Sequence, residues 1–165
     1  MTTTKIAYAA ATALTLTLAS LASDTNLLAG RESTVVDNSS NLYTDVVLQG
    51  KIKTGTTTAA TVIEIWVYAI ANDATTYVAG ATGSDANLSI ANSGVKRLMK
   101  LAAQIDVTDT TARTYYFGGI SIAQLFGGRM PKKFGTFVVH NTGANLDATG
   151  GNHSIEYVGI TYTNA

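Results

Sequence analysis

Two histidines, His140 and His153, flank a Gly/Asn-rich stretch with Asp147 between them. Imidazole and carboxylate both ligate metals, but this spacing matches no zinc pattern, and two imidazoles need further ligands. No cysteine is present to supply them. The histidines therefore read as polar residues at strand ends, and neither a metal nor a cofactor is expected. Among the acidic residues, Glu64 and Glu156 are the plausible carboxylate pair, because both fall inside expected strands. Glycoside hydrolysis needs two such groups facing each other across a cleft. Glu64 beside Trp66 on one strand face has the look of a sugar-binding surface, whereas a strand glutamate is more commonly solvated or salt-bridged. The sequence has no Gly-x-Ser-x-Gly elbow, no phosphate loop and no Gly-x-Gly-x-x-Gly. The chain reads as non-enzymatic.

Two basic clusters remain, Lys96, Arg97 and Lys100, and Arg129, Lys132 and Lys133. Strand alternation would set Lys96 and Lys100 on one face. Such groups can steer an acidic protein partner, or simply keep an edge strand soluble. The third candidate is the N-terminal stretch, with Thr2, Thr3, Thr4, Lys5, Ile6 and Tyr8. Small residues with few apolar anchors bury little area on their own domain, so an ordered arm here points to a partner that holds it. The competing expectation is a strand hydrogen-bonded to its own sheet.

The elements that position these residues follow from composition and period. The chain has 165 residues, 46% hydrophobic and 13% charged, against a usual charged share of about 25%. That is enough apolar content for one folded domain and excludes intrinsic disorder. Basic and acidic residues balance at 11 each. A neutral chain lacks the cation excess that phosphate binding needs, so no nucleic acid is expected. Low net charge favours association, and a homo-oligomer, trimer or dimer, is expected. The run Ile6–Ala19 is shorter than the roughly 20 apolar residues of a membrane span. Within it Thr12, Thr15 and Thr17 interleave with Leu14, Leu16 and Leu18. That is the period of a strand, not of a secretory leader.

Strands are expected at Leu14–Leu18, Arg31–Asp37, Leu42–Lys53, Thr61–Ala71, Thr75–Ala79, Arg113–Phe117, Phe134–His140 and Ser154–Tyr162. Val95–Val107 fits a strand better than a helix, and a brief strand fits Leu88–Ala91. Val62, Ile63, Ile65, Trp66, Val67 and Ile70 leave little polar surface, which places Thr61–Ala71 in mid-sheet, covered on both faces. Ser121–Phe126 reads as one helical turn capped by Ser121 and stopped by Gly127-Gly128. Many short strands without βαβ alternation give an all-β, jelly-roll-like (Greek-key) β-sandwich with at most one short helix. Residues 1–12 form an extended N-terminal arm, and 13–165 a single β-sandwich domain.

Several segments together carry a resemblance. They are Leu27-Leu28-Ala29-Gly30-Arg31-Glu32-Ser33-Thr34, Gly50-Lys51-Ile52-Lys53-Thr54-Gly55, Ile63-Glu64-Ile65-Trp66-Val67-Tyr68, Tyr115-Tyr116-Phe117-Gly118, and the stretch from Met130-Pro131-Lys132-Lys133-Phe134 to Gly143. In that order they resemble small structural proteins of tailed bacteriophages, of the head-decoration or cement type, over roughly residues 21 to 165. The resemblance implies a β-sandwich on the outer capsid surface, with the major capsid protein as partner. It implies assembly in the host bacterial cytoplasm, where a cysteine-free chain is at home. The alternative is a tail or fibre component, or a carbohydrate-binding module, that recognises host glycans through Trp66, Tyr68, Tyr115 and Tyr116.

Overall fold

Alternation along Thr61–Ile70 divides that strand between two cores. Ile63, Ile65 and Val67 point one way and are fully buried with Val46, Leu48 and Ile52. Trp66 and Tyr68 point the other way, against Tyr77, Leu88, Ile90 and Met99. The expected mid-sheet strand covered on both faces is thus observed. The structure is a computed structural model that describes residues 3–58 and 60–164.

Its strands are β1 (Thr4–Tyr8), β2 (Thr12–Ala13), β3 (Ala29–Glu32), β4 (Val36–Asp37), β5 (Asp45–Lys53), β6 (Thr61–Ile70), β7 (Ala86–Ser89), β8 (Lys100–Val107), β9 (Thr114–Ser121), β10 (Lys133–His140) and β11 (Ser154–Asn164). Two single helical turns are α1 (Ser93–Lys96) and α2 (Ile122–Leu125). The first sheet runs β1–β11–β5–β9, with β2 also on β11. The second runs β7–β3–β10–β6–β8, with β4 also on β10. All pairings are antiparallel. If β1/β2 and β3/β4 are each counted as one broken strand, eight positions result, ordered 1-8-3-6 and 2-7-4-5, with β7 added outside. That is the order of a jelly roll, two sheets built from interleaved Greek keys.

Four expectations need correction. The N-terminal stretch is not an arm separate from the domain but follows the competing expectation, a strand on its own sheet, because β1 pairs with β11 from Thr4↔Asn164 to Tyr8↔Ile160. Of its predicted contact residues, Thr2 lies outside the described residues. Leu14–Leu18 is extended with Leu14 and Leu18 buried, but it forms no ladder. It crosses between the sheets instead. The Leu14 amide donates to Ile155 O, Thr15 O accepts from the Thr34 amide, and Thr17 binds the Asp85 carboxylate. Thr75–Ala79 is not a strand, and only a 3-10 turn at Val78–Gly80 falls there. Finally, the ambiguous Val95–Val107 contains both periods. Asn92 caps the α1 turn through the Val95 amide, and the strand begins at Lys100. So among the described residues there are two short α-helices where at most one short helix was expected.

Candidate functional site

Of the seven exposed large apolar side chains among the described residues, Ile6, Tyr8, Leu42 and Tyr162 lie toward one end of the sandwich, and Leu98, Leu101 and Tyr116 lie on other elements. β5 covers β11 only from Ser154 to Ile160, whereas β1 continues to Asn164. The ends of β1 and β11 therefore form a two-stranded ribbon that projects past the sheet. On it Ile6 stands opposite Tyr162, and Tyr8 opposite Ile160. Ile6, Tyr8 and Tyr162 are 57%, 68% and 62% exposed. Leu42 nearby is 72% exposed and sits at φ 52°, a left-handed conformation that a leucine adopts only under constraint. Asn38 supplies the constraint. Its side chain bonds both the amide and the carbonyl of Tyr43, and its carbonyl accepts from the Leu42 amide.

α2 stands beside the ribbon. Its first turn is held by Asp45, which accepts from the Ser121 hydroxyl at 2.6 Å and the Ala123 amide at 2.9 Å. Ser121 in turn caps the Gln124 amide, as read from the sequence. Gly127 and Gly128 both take positive φ and end the helix. The segment from Ala123 to Pro131 lines two open grooves. One, of about 700 Å³, lies against Ile6, Tyr8, Ile160 and Tyr162. The other, of about 740 Å³, has a floor of Ile70, Phe126 and Met130, with Leu42 and Arg129 on its rim.

The predicted cations divide. Arg129 reaches the groove and is exposed, with no ion pair among the described residues. Lys5, on the ribbon, is likewise exposed and makes none. Lys132 pairs with Asp73 and holds its carboxyl below the ordinary carboxylate range. Lys133 pairs with Asp37 at 3.8 Å. Asp37 is lowered chiefly by hydrogen bonds from Ser39. Arg97 and Lys100 are exposed but line neither groove. Lys96 is not a surface residue. Its Nζ donates to Glu64 Oε2 at 2.8 Å and to Leu27 O at 2.7 Å, and lies 5.1 Å from the centre of the Trp66 ring. A helical turn, not a strand, carries it, so it shares no face with Lys100.

The candidate chemistry is absorbed by structure. Glu64 accepts from Trp66 Nε1 at 2.7 Å as well as from Lys96, under the segment that covers the second sheet. Glu156 lies on the outer face of the first sheet beside Gln49. The two carboxylates thus stand on opposite faces of the sandwich. His140 is buried between Thr142 Oγ1 and Leu21 O, and burial lowers its pKa. His153 bonds Asp147 O and the Lys53 amide. Asp147 is itself bound by Asn152, Thr149 and Lys53, which hold its carboxyl well below its usual range. Among the described residues no group of three His, Asp or Glu could hold a metal, and no helix is long and apolar enough to cross a membrane.

The four aromatics proposed as a glycan platform are likewise scattered. Tyr68 is fully buried, Trp66 lies over Lys96, Tyr115 points into the main core, and Tyr116 is 76% exposed on the other sheet. Leu42, Phe126, Met130 and Tyr162 are the site residues that sequence reasoning missed. The period-two pair Ile160 and Tyr162 was the available signal for one of them. No family model, curated protein or solved structure matches the chain.

Proposed function

We propose that this chain is a structural protein of a tailed-phage particle. It binds the outer capsid surface and cements the shell by bridging neighbouring copies of the major capsid protein. The observation that carries this reading is the apolar end of the sandwich, where Ile6, Tyr8, Leu42 and Tyr162 are all exposed. Exposed apolar side chains gathered around two grooves suit a contact site. Among the described residues Lys5 and Arg129 there make no ion pair, and neither does Asp45, whose carboxylate accepts from Ser121 and Ala123; the two cations suit an acidic partner. The jelly roll recurs in viral capsids and in lectins, and the sequence resemblance favours the former. Many copies on a symmetric shell allow each contact to be modest.

The test is the copy number of the chain in purified particles, measured by quantitative mass spectrometry against the most abundant shell protein. A ratio of one or a simple fraction supports a lattice component. A ratio far below that moves the chain to the tail, and absence from particles overturns the reading. A chain lacking residues 1–11 retains Leu14 and both cores, and is expected to fold but to load particles poorly. Full occupancy by that truncated chain would remove the apolar end as the contact.

A further inference from the structure

One edge of the first sheet is β1. The Ala9 amide donates to Gly159 O, in register with Tyr8↔Ile160. Hydrogen-bonded pairs alternate along an antiparallel ladder. The odd residues Lys5 and Ala7 therefore bond β11, and the even residues Thr4, Ile6 and Tyr8 turn their N–H and C=O groups outward. Beyond Tyr8 the polarity changes. Ala13 faces Glu156 and the Leu14 amide reaches Ile155 O, a one-residue shift that marks a bulge near Ala10. The outward-facing edge is thus a short segment centred on Ile6. Of the other edges, β8 and β9 adjoin each other, and β7, four residues long, borders the second sheet.

We infer that two copies of this chain join through antiparallel β1–β1 pairing about a twofold axis at Ile6, which makes one continuous sheet across the dimer. In that register Ile6 meets Ile6 of the second copy and Thr4 meets Tyr8, so every outward N–H and C=O of β1 finds a partner. Lys5 falls opposite Ala7, so like charges do not meet, and copies of zero net charge do not repel. Because Ile6 already stands opposite Tyr162, pairing aligns Tyr162, Ile6, Ile6 and Tyr162 in one cross-strand row. Such rows are the stabilising unit of a sheet. The outer face of each ribbon stays accessible, so the inference goes beyond the capsid reading and does not depend on it.

Sedimentation equilibrium of the full chain tests it without particles. The wild type is expected at twice 17.2 kDa and an Ile6→Pro variant at 17.2 kDa. Pro is tolerated on an edge where the lost N–H faces outward, so the variant should keep the wild-type circular dichroism. Cross-linking covers the case in which that variant fails to fold. The chain has no cysteine, and facing hydrogen-bonded residues lie about 5.5 Å apart at Cα, within disulfide reach. Ile6→Cys is expected to oxidise to a covalent dimer, and Lys5→Cys, off the axis, is not. A monomeric wild type would overturn the inference. So would a trimer, a dimeric Ile6→Pro variant, or equal cross-linking at both positions.

Discussion

Replacing Lys96 by Met tests whether the second core is locked by an ion pair or merely decorated by one. The Lys96 and Glu64 side chains are only 8% and 12% exposed. Met keeps the length of the stem and its packing on Trp66 but removes the charge. Glu64 then keeps one donor, Trp66 Nε1, for a carboxylate almost out of water. Removing one partner of a buried pair costs about 3–5 kcal/mol. In a chain of this size that lowers the thermal midpoint by roughly 6–20 °C. Adding Glu64→Gln removes the stranded charge and leaves Trp66 an acceptor. The double variant should recover more than half of the loss. Urea unfolding followed by the fluorescence of Trp66, the only tryptophan, reads the pair directly. A Lys96→Met loss below about 1 kcal/mol, the size of an exposed pair, would refute the argument. A double variant less stable than the single one would do the same.

His140 gives the chain a pH dependence of known sign. Its imidazole is held neutral by burial, below its ordinary value of 6.5. The unfolded chain takes up a proton as pH falls through that value while the folded chain does not. The stabilisation is thus complete above about pH 6.5 and is lost as pH falls toward the folded value, by at most about 1.4 kcal/mol per pH unit. Urea midpoints of wild type and His140→Gln, compared between about pH 7.5 and 5.5, should show a shallower slope in the variant; equal slopes would count against it. Gly135→Ala sets a Cβ against the Tyr68 ring and hydroxyl, which donates to Ser33 O at 2.7 Å. Overpacking there should cost about 1–3 kcal/mol, and an unchanged urea midpoint would show that the ring moves freely.

What the sequence reveals and conceals here follows the range of each interaction. Period-two alternation marked β5, β6, β10 and β11 well, because burial on one face is a local signal. In Leu14–Leu18 the same alternation correctly gave which side chains are buried, yet not the absence of a ladder. Its hydrogen bonds go singly to Thr34, Asp85 and Ile155, on different strands and loops. The α2 turn was legible from Ser121 and Gly127-Gly128. The α1 turn was missed although Asn92 carries the same capping signal. Lys96 was misjudged because its partner Glu64 lies 32 residues away, and spacing carries no information at that range. The apolar end was half legible. Ile6 and Tyr8 were singled out, but the ribbon exists only once β1 meets β11.

That meeting also sets an order of events. The pairing Thr4↔Asn164 joins opposite ends of the described chain, a separation that makes closure entropically slow. Until β11 is made, β1 has no sheet to belong to, and its even-numbered amides define no particular edge. The surface that would recruit a second copy thus comes into being only when the roll is complete. A chain in which β11 has yet to form cannot present it. If copies pair through β1, pairing is thereby timed to follow folding, and incompletely folded copies are kept out by topology alone.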